Sequence, residues 1–145
     1  MDSQLEITSI WEDDDGLFEV KVKASNGLFC GVADCYTNRG AIAGLSEALS
    51  GFPKSIDQEV RFTTGEREDL SFFSLFFKCK DGSGHVILRV KIAHIRVFTN
   101  ASEEKYISEF DILLEASAID VFTRSLDALS KSKQGAVTAI LLGKT

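Results

Sequence analysis

Positive charge is in the minority in this chain. Sixteen lysines and arginines stand against 22 acidic residues, a net charge of −6. A nucleic-acid binder needs a basic face to neutralise phosphates, so no nucleic-acid partner is expected. Histidine occurs twice, proline once and cysteine three times in 145 residues. An odd number of thiols with no secretory signal at the N-terminus reads as a reduced, cytoplasmic protein with free cysteines. No apolar run approaches the roughly 20 residues of a membrane helix, so no membrane partner is expected.

The scarcity extends to catalytic and metal-binding patterns. There is no G-x-S-x-G elbow and no H-E-x-x-H zinc helix. Gly82-Ser83-Gly84 lacks the lysine and the strand-to-helix setting of a phosphate-binding loop. His85 and His94 share one predicted strand, nine residues or roughly 30 Å apart, and cannot share a metal. Cys30 and Cys35 are five apart on a strand and face opposite ways, unlike a zinc knuckle. Cys35 and Cys79 read as core residues, while Cys30 falls beside Lys21 and Lys23 on a second face. Asp13-Asp14-Asp15-Gly16 is flanked by strands, not by the helices of a calcium-binding EF-hand. No catalytic residue, metal or cofactor is therefore assigned, and the chain reads as a non-enzyme.

What is present is strand patterning. Leu5–Trp11 is a candidate first strand, and Phe18, Val20, Val22 and Ala24 alternate with charged residues in a second. Asn26-Gly27 favours a two-residue type I′ turn, which would pair Ser25 with Leu28, Val22 with Gly31 and Val20 with Ala33. Small residues on that third strand leave room for a helix to cross the sheet. Ile42, Leu45 and Leu49 mark a helix over 38–51, with Thr37 or Asn38 as cap and Gly51 as stop. Residues 59–64 form a short strand. Leu70–Lys80 is apolar on both faces and is expected to be a central strand covered on both sides. The next strand alternates from Val86 to Ile92, then shifts parity to Ile95 and Val97, which predicts a bulge at Ala93-His94. Tyr106 to Leu114 is a further strand. A helix follows over 118–131, its start resembling a capping box at Ser117–Asp120. Residues 136–142 read as a docking tail or a short strand.

The element order βββα-ββββα with short turns predicts an α+β fold. It would be a mostly antiparallel sheet of six to seven strands, with two amphipathic helices on one face. The whole chain, 1–145, is one domain, with its core at about 4–133 and a tail at 134–145. The loops carry acidic clusters: Asp13, Asp14 and Asp15; Glu66, Glu68 and Asp69; Glu103 and Glu104. The 65–69 and 99–104 turns are expected at one end of the sheet. An acidic rim there would steer a basic protein partner, and these eight residues are the candidate partner-binding set.

Gly27-Leu28-Phe29-Cys30-Gly31 resembles the G-F-x-G opening of a hairpin strand in bacterial WapI-type immunity proteins and their uncharacterised relatives. Asp81-Gly82-Ser83-Gly84-His85 resembles their D-G-x-G-H turn, and Glu109-Phe110-Asp111-Ile112 before the last helix also fits. The likeness spans roughly residues 5–131. Cys30 and the segment after Gln134 depart from it. It implies a cytoplasmic inhibitor that occludes a partner toxin domain and needs no catalytic residues. Two other readings stand beside it. One is a small apolar ligand-binding domain. The other is a homodimeric structural subunit that buries Leu28, Cys30, Val32, Phe72 and Phe76 on a second sheet face.

Overall fold

The structure is a computed structural model, and it describes residues 2–12, 14, 16–64, 71–132 and 136–144. The elements are β1 (Gln4–Glu12), β2 (Leu17–Ser25), β3 (Cys30–Asn38), α1 (Arg39–Leu49), β4 (Glu59–Thr63), β5 (Phe72–Cys79), β6 (His85–Val97), β7 (Glu103–Glu115), α2 (Ala116–Lys131) and β8 (Thr138–Leu142). The fold is α+β with antiparallel pairing throughout, as the alternation predicted. The expected single sheet is instead two sheets of four, ordered β3-β2-β1-β8 and β4-β5-β6-β7. We call them the first and second sheets.

Small residues on β3 explain the division. Gly31, Ala33 and Cys35 make room for the second sheet, where a helix was expected. A Cβ at Gly31 would lie 3.2 Å from Ile92 Cβ and 3.3 Å from Ser108 Cβ. At its other end, Cys35 lies beside Thr64, which bonds Phe73 in turn. Phe73, Ile92 and Ser108 lie on one rung of the second sheet. β3 therefore runs along a rung, across the strands beneath it. Four residues of β3 cover about 14 Å, which matches three interstrand spacings of about 4.8 Å.

The other strands of the first sheet continue along β7. Asn26, next to β3, donates its side-chain N–H to the Asp111 carbonyl. Past β8, Gly143 packs against Ile112, and the Lys144 N–H donates to the Leu113 carbonyl. The first sheet is thus stacked from Ser108 toward Glu115, and the free edge of β3 faces the opposite end of β6 and β7.

One core lies between the layers. It draws Leu5, Ile7, Val20 and Val22 from one sheet and Phe73, Leu75, Phe77, Leu88 and Ile112 from the other. The helices pack on each other at its side, α2 against β8 and α1 against β3 and β4, so the expected layer on one sheet face is not formed. Their apolar stripes are Ile42, Leu45, Leu49 and Ile119, Phe122, Leu126, Leu129. Asn38 caps α1 by accepting from the Ala41 N–H, and Gly51, at φ +70°, follows its end. α2 begins at Ala116, two residues before the expected start, and no capping box forms: its N-cap Glu115 is drawn away to Lys144 and His85.

Residues 138–142 are a strand, paired with β1, and Ala139 and Leu141 are fully buried. The end of the chain thus extends the first sheet and joins the core. The hairpin register differs from expectation by two residues: Ser25 pairs with Cys30 and Val22 with Ala33. Among the described residues Asn26 does not adopt the positive φ that a type I′ turn requires. Gly27 alone does, at +89°, so the turn centres on Gly27-Leu28. The Asn26 side chain accepts the N–H groups of Leu28 and Phe29 and holds that turn. A shift of two preserves which residues face inward.

The parity change in β6 has another cause than a bulge. Its pairing with β7 runs unbroken from His85 to Val97. The core face ends at Ile92, and Ala93 and Ile95 are buried on the opposite face. The described bulge lies in β1, between Ser9 and Trp11. β5 is covered on its outer face by cations: Arg61 stacks 3.8 Å from the Phe76 ring centre and Lys91 lies 5.7 Å from that of Phe72.

Candidate partner interface

β6 and β7 are thirteen residues long, while β5 has eight and β4 five. Beyond Ala93, where pairing with β5 ends, β6 and β7 continue as a β6–β7 arm with no further strand partner among the described residues. Along the arm His94 pairs with Tyr106, Arg96 with Glu104 and Val97 with Glu103. It carries exposed apolar side chains: Val97 at 59%, Phe98, Tyr106 at 56% and Ile107. Beside it, the β2–β3 turn leaves Leu28 86% and Phe29 60% exposed. That turn is held at the edge of β7 by the bond from Asn26 to Asp111.

Three of the eight acidic candidates fall on described residues. Glu103 and Glu104 lie at the tip of the arm. Glu103 pairs with Lys105 at 3.1 Å, and Glu104 accepts the Tyr106 hydroxyl at 2.7 Å. That hydrogen bond and the carboxylate charge hold the Tyr106 phenol above its ordinary pKa. Asp14 lies in the β1–β2 turn of the other sheet, next to Glu12, which pairs with Arg39 at the start of α1. The structure does not unite Asp14 with Glu103 and Glu104, because strands of the two sheets run across one another. Asp13, Asp15, Glu66, Glu68 and Asp69 lie outside the described residues. Ser71, just before β5, bonds His94.

The histidines face opposite sides of β6, as nine-residue spacing without a bulge requires. His85 Nδ1 lies 2.8 Å from Asp81 and Nε2 lies 3.8 Å from Glu115, which also pairs with Lys144. The bond from His85 and the Ser83 N–H hold the Asp81 carboxyl below its ordinary pKa; Lys144 does the same for Glu115. This cluster joins the 81–85 turn, the end of β7 and the end of the chain. His94 Nδ1 lies 3.2 Å from the Ser71 hydroxyl, a contact 23 residues apart that no sequence motif announced. Among the described residues no carboxylate orients that ring, which leaves a serine–histidine pair without the third group of a hydrolytic triad.

Burial pushes the Cys35 thiol up to about 12, while Cys30 is exposed on the outer face of β3. Cys79 is only partly buried and donates to the Ser55 carbonyl, so it is a rim residue and not the core residue expected. The proposed second face of Leu28, Cys30, Val32, Phe72 and Phe76 does not exist as one surface. The first three lie with the first sheet, and the two phenylalanines lie on the far side of the second. Among the described residues no cluster of three or more metal-ligating side chains occurs, and no helix is long and apolar enough to cross a membrane. Comparison of the chain with protein-family models, with curated proteins and with solved structures finds no match.

Proposed function

We propose that this chain is a non-enzymatic protein-binding module, an immunity-type inhibitor that neutralises a basic partner toxin domain in the cytoplasm by occlusion. The observation that carries the reading is the β6–β7 arm. Exposed apolar side chains lie on both of its faces, Tyr106 on the inner one and Val97 and Ile107 on the outer one, with Phe98, Glu103 and Glu104 at the tip. An apolar centre with a charged rim is the composition of a protein interface, and the net charge of −6 favours a basic partner. The groove between α1 and α2, lined by Ala43, Ser46, Glu47, Ser50, Thr123, Arg124 and Asp127, is too polar for the small apolar ligand of the alternative reading.

The test is co-purification of the tagged chain from its native cell, washed at low and high salt, beside a variant carrying Glu103→Lys, Glu104→Lys and Phe98→Ser. A stoichiometric basic protein that is held by the wild type, released as salt rises and lost by the variant is the expected result. Equal retention by the variant removes the arm from the interface. Recovery of the chain alone, at both salts, defeats the inhibitor reading.

A further inference from the structure

We infer that the free edge of β3 and the inner face of the β6–β7 arm form a shelf that takes one extended, basic segment of a protein partner as an added β-strand. The inference rests on the protein-binding reading and names how the partner is held.

The geometry starts from the crossing. β3 is an end strand of its sheet, with β2 on one side. The bond from the Asn26 N–H to the Phe29 carbonyl sets the alternation of the ladder. Bonded pairs then fall at Ala24–Gly31 and Val22–Ala33, so Val32 and Asp34 turn their backbone groups away from β2. Those groups look out over the arm. The arm extends two inward-facing rungs past Ile92–Ser108, first His94–Tyr106 and then Arg96–Glu104. Two rungs span about 14 Å, and an added strand lies about 4.8 Å from its neighbour. A strand paired with β3 therefore sits above the His94–Tyr106 rung with floor to spare. Both of those side chains are exposed.

The same geometry rejects antiparallel pairing with a second copy of this chain. A β3–β3 pair on a two-fold axis normal to the sheet would keep both second sheets on one side of the joined first sheets. Each copy's own β6 and β7 underlie its β3, so they would occupy the space taken by the other copy's arm. Among the described residues nothing pairs with the edge, and it suits a segment that brings no layer beneath it. An extended peptide from a partner meets that condition.

Side chains along the edge set the chemistry. On the outer face, residues opposite Val32 and Asp34 of an added strand meet an apolar and an acidic neighbour. Asp34 already holds Lys21 at 3.0 Å, and a second cation opposite it completes a cross-strand pair. The preferred segment thus alternates apolar and basic residues, in keeping with the overall negative charge.

The experiment uses the full isotope-labelled chain and two synthetic peptides, acetyl-(Val-Lys)4-amide and acetyl-(Val-Glu)4-amide, observed by NMR. The expected result is saturable shifts at residues 30–34, 94 and 106, with slowed amide exchange at Val32 and Asp34, for the lysine peptide. Asp34→Lys should weaken that binding about three- to tenfold, reversing one cross-strand charge pair. Tyr106→Ala, an exposed change that leaves the core intact, should weaken it as well. Shifts confined to the Leu28–Phe29 tip, equal binding of both peptides, or no saturable shift each overturn the shelf. The co-purification result then stands independently: a partner lost by the arm-tip variant keeps the protein-binding reading even when the shelf fails.

Discussion

Within the β6–β7 ladder, the face turned toward the first sheet is core in one half and surface in the other. Val86, Leu88, Val90 and Ile92 face Phe110, Ile112 and Leu114 under the first sheet, nearly all of them wholly buried. Past Ile92 the same two strands, in the same unbroken register, hold His94, Arg96, Glu104 and Tyr106 in solvent. Pairing is identical in both halves, so hydrogen bonding does not separate them. The cover does: the first sheet ends at β3. A ladder longer than its cover trades core area for reach, and the arm is one of the places where the molecule presents apolar surface.

The strongest way to sharpen that contrast is to truncate one residue in each half. Leu88→Ala should lower unfolding free energy by about 2–5 kcal/mol, because it opens a cavity between packed layers. Val97→Ala on the arm should change it by less than about 0.5 kcal/mol. Urea titration of both variants reads the difference, and equal losses would mean that the arm is as well packed as the core. Next in size is the boundary itself. Gly31→Val places methyl groups where a single Cβ already approaches Ile92 and Ser108 at 3.2–3.3 Å, and should cost about 1–3 kcal/mol by prising β3 off the rung.

A smaller effect separates the two ends of β6 by pH. The Asp81 and Glu115 carboxyls are held below their unfolded values. Their contribution is therefore present above the ordinary carboxylate range and is lost as pH falls through the lower, folded values. Wild-type stability should decline in that acid window, and Asp81→Asn should flatten part of the slope by lowering stability slightly at pH 7, where the Asp81 contribution is present, and not in acid, where it is already lost. The smallest signal is chemical. Iodoacetamide should label exposed Cys30 in the native protein and spare Cys35, which is wholly buried with its thiol raised to about 12. Labelling of Cys35 at native pH would show that β3 lifts away from Thr64.

Most of the local structure was legible because its causes are local. Alternation gave the strands, the Ile42–Leu45–Leu49 stripe gave α1, and Asn38 gave its cap. The side chains facing inward on β2 and β3 were read correctly despite a register error, since slipping by two preserves the face. What escaped depends on contacts distant in sequence. Small residues on β3 signal close approach without saying by what, and a sheet filled the place foreseen for a helix. The shift from Ile92 to Ala93 and Ile95 marks where cover passes from one face to the other, which alternation alone cannot distinguish from a bulge. The arm, and the pairing of Ser71 with His94, follow from unequal strand lengths and from assembly of the second sheet. The acidic residues were legible as charge. Their placement was not, because Asp14 and Glu103 belong to different sheets.

The pairing of β8 with β1 carries a consequence for synthesis. Thr8 and Thr138 meet across 130 residues of chain. On a ribosome adding roughly 5–20 residues per second, β1 emerges on the order of ten seconds before its second neighbour exists. Until β8 is made, β1 is a second end strand beside β3, and Gly143 has not yet been set between Ser3 and Ile112. Until residues 138–142 pair with it, the β1 edge that holds Leu5 and Ile7 is an open template for strand pairing.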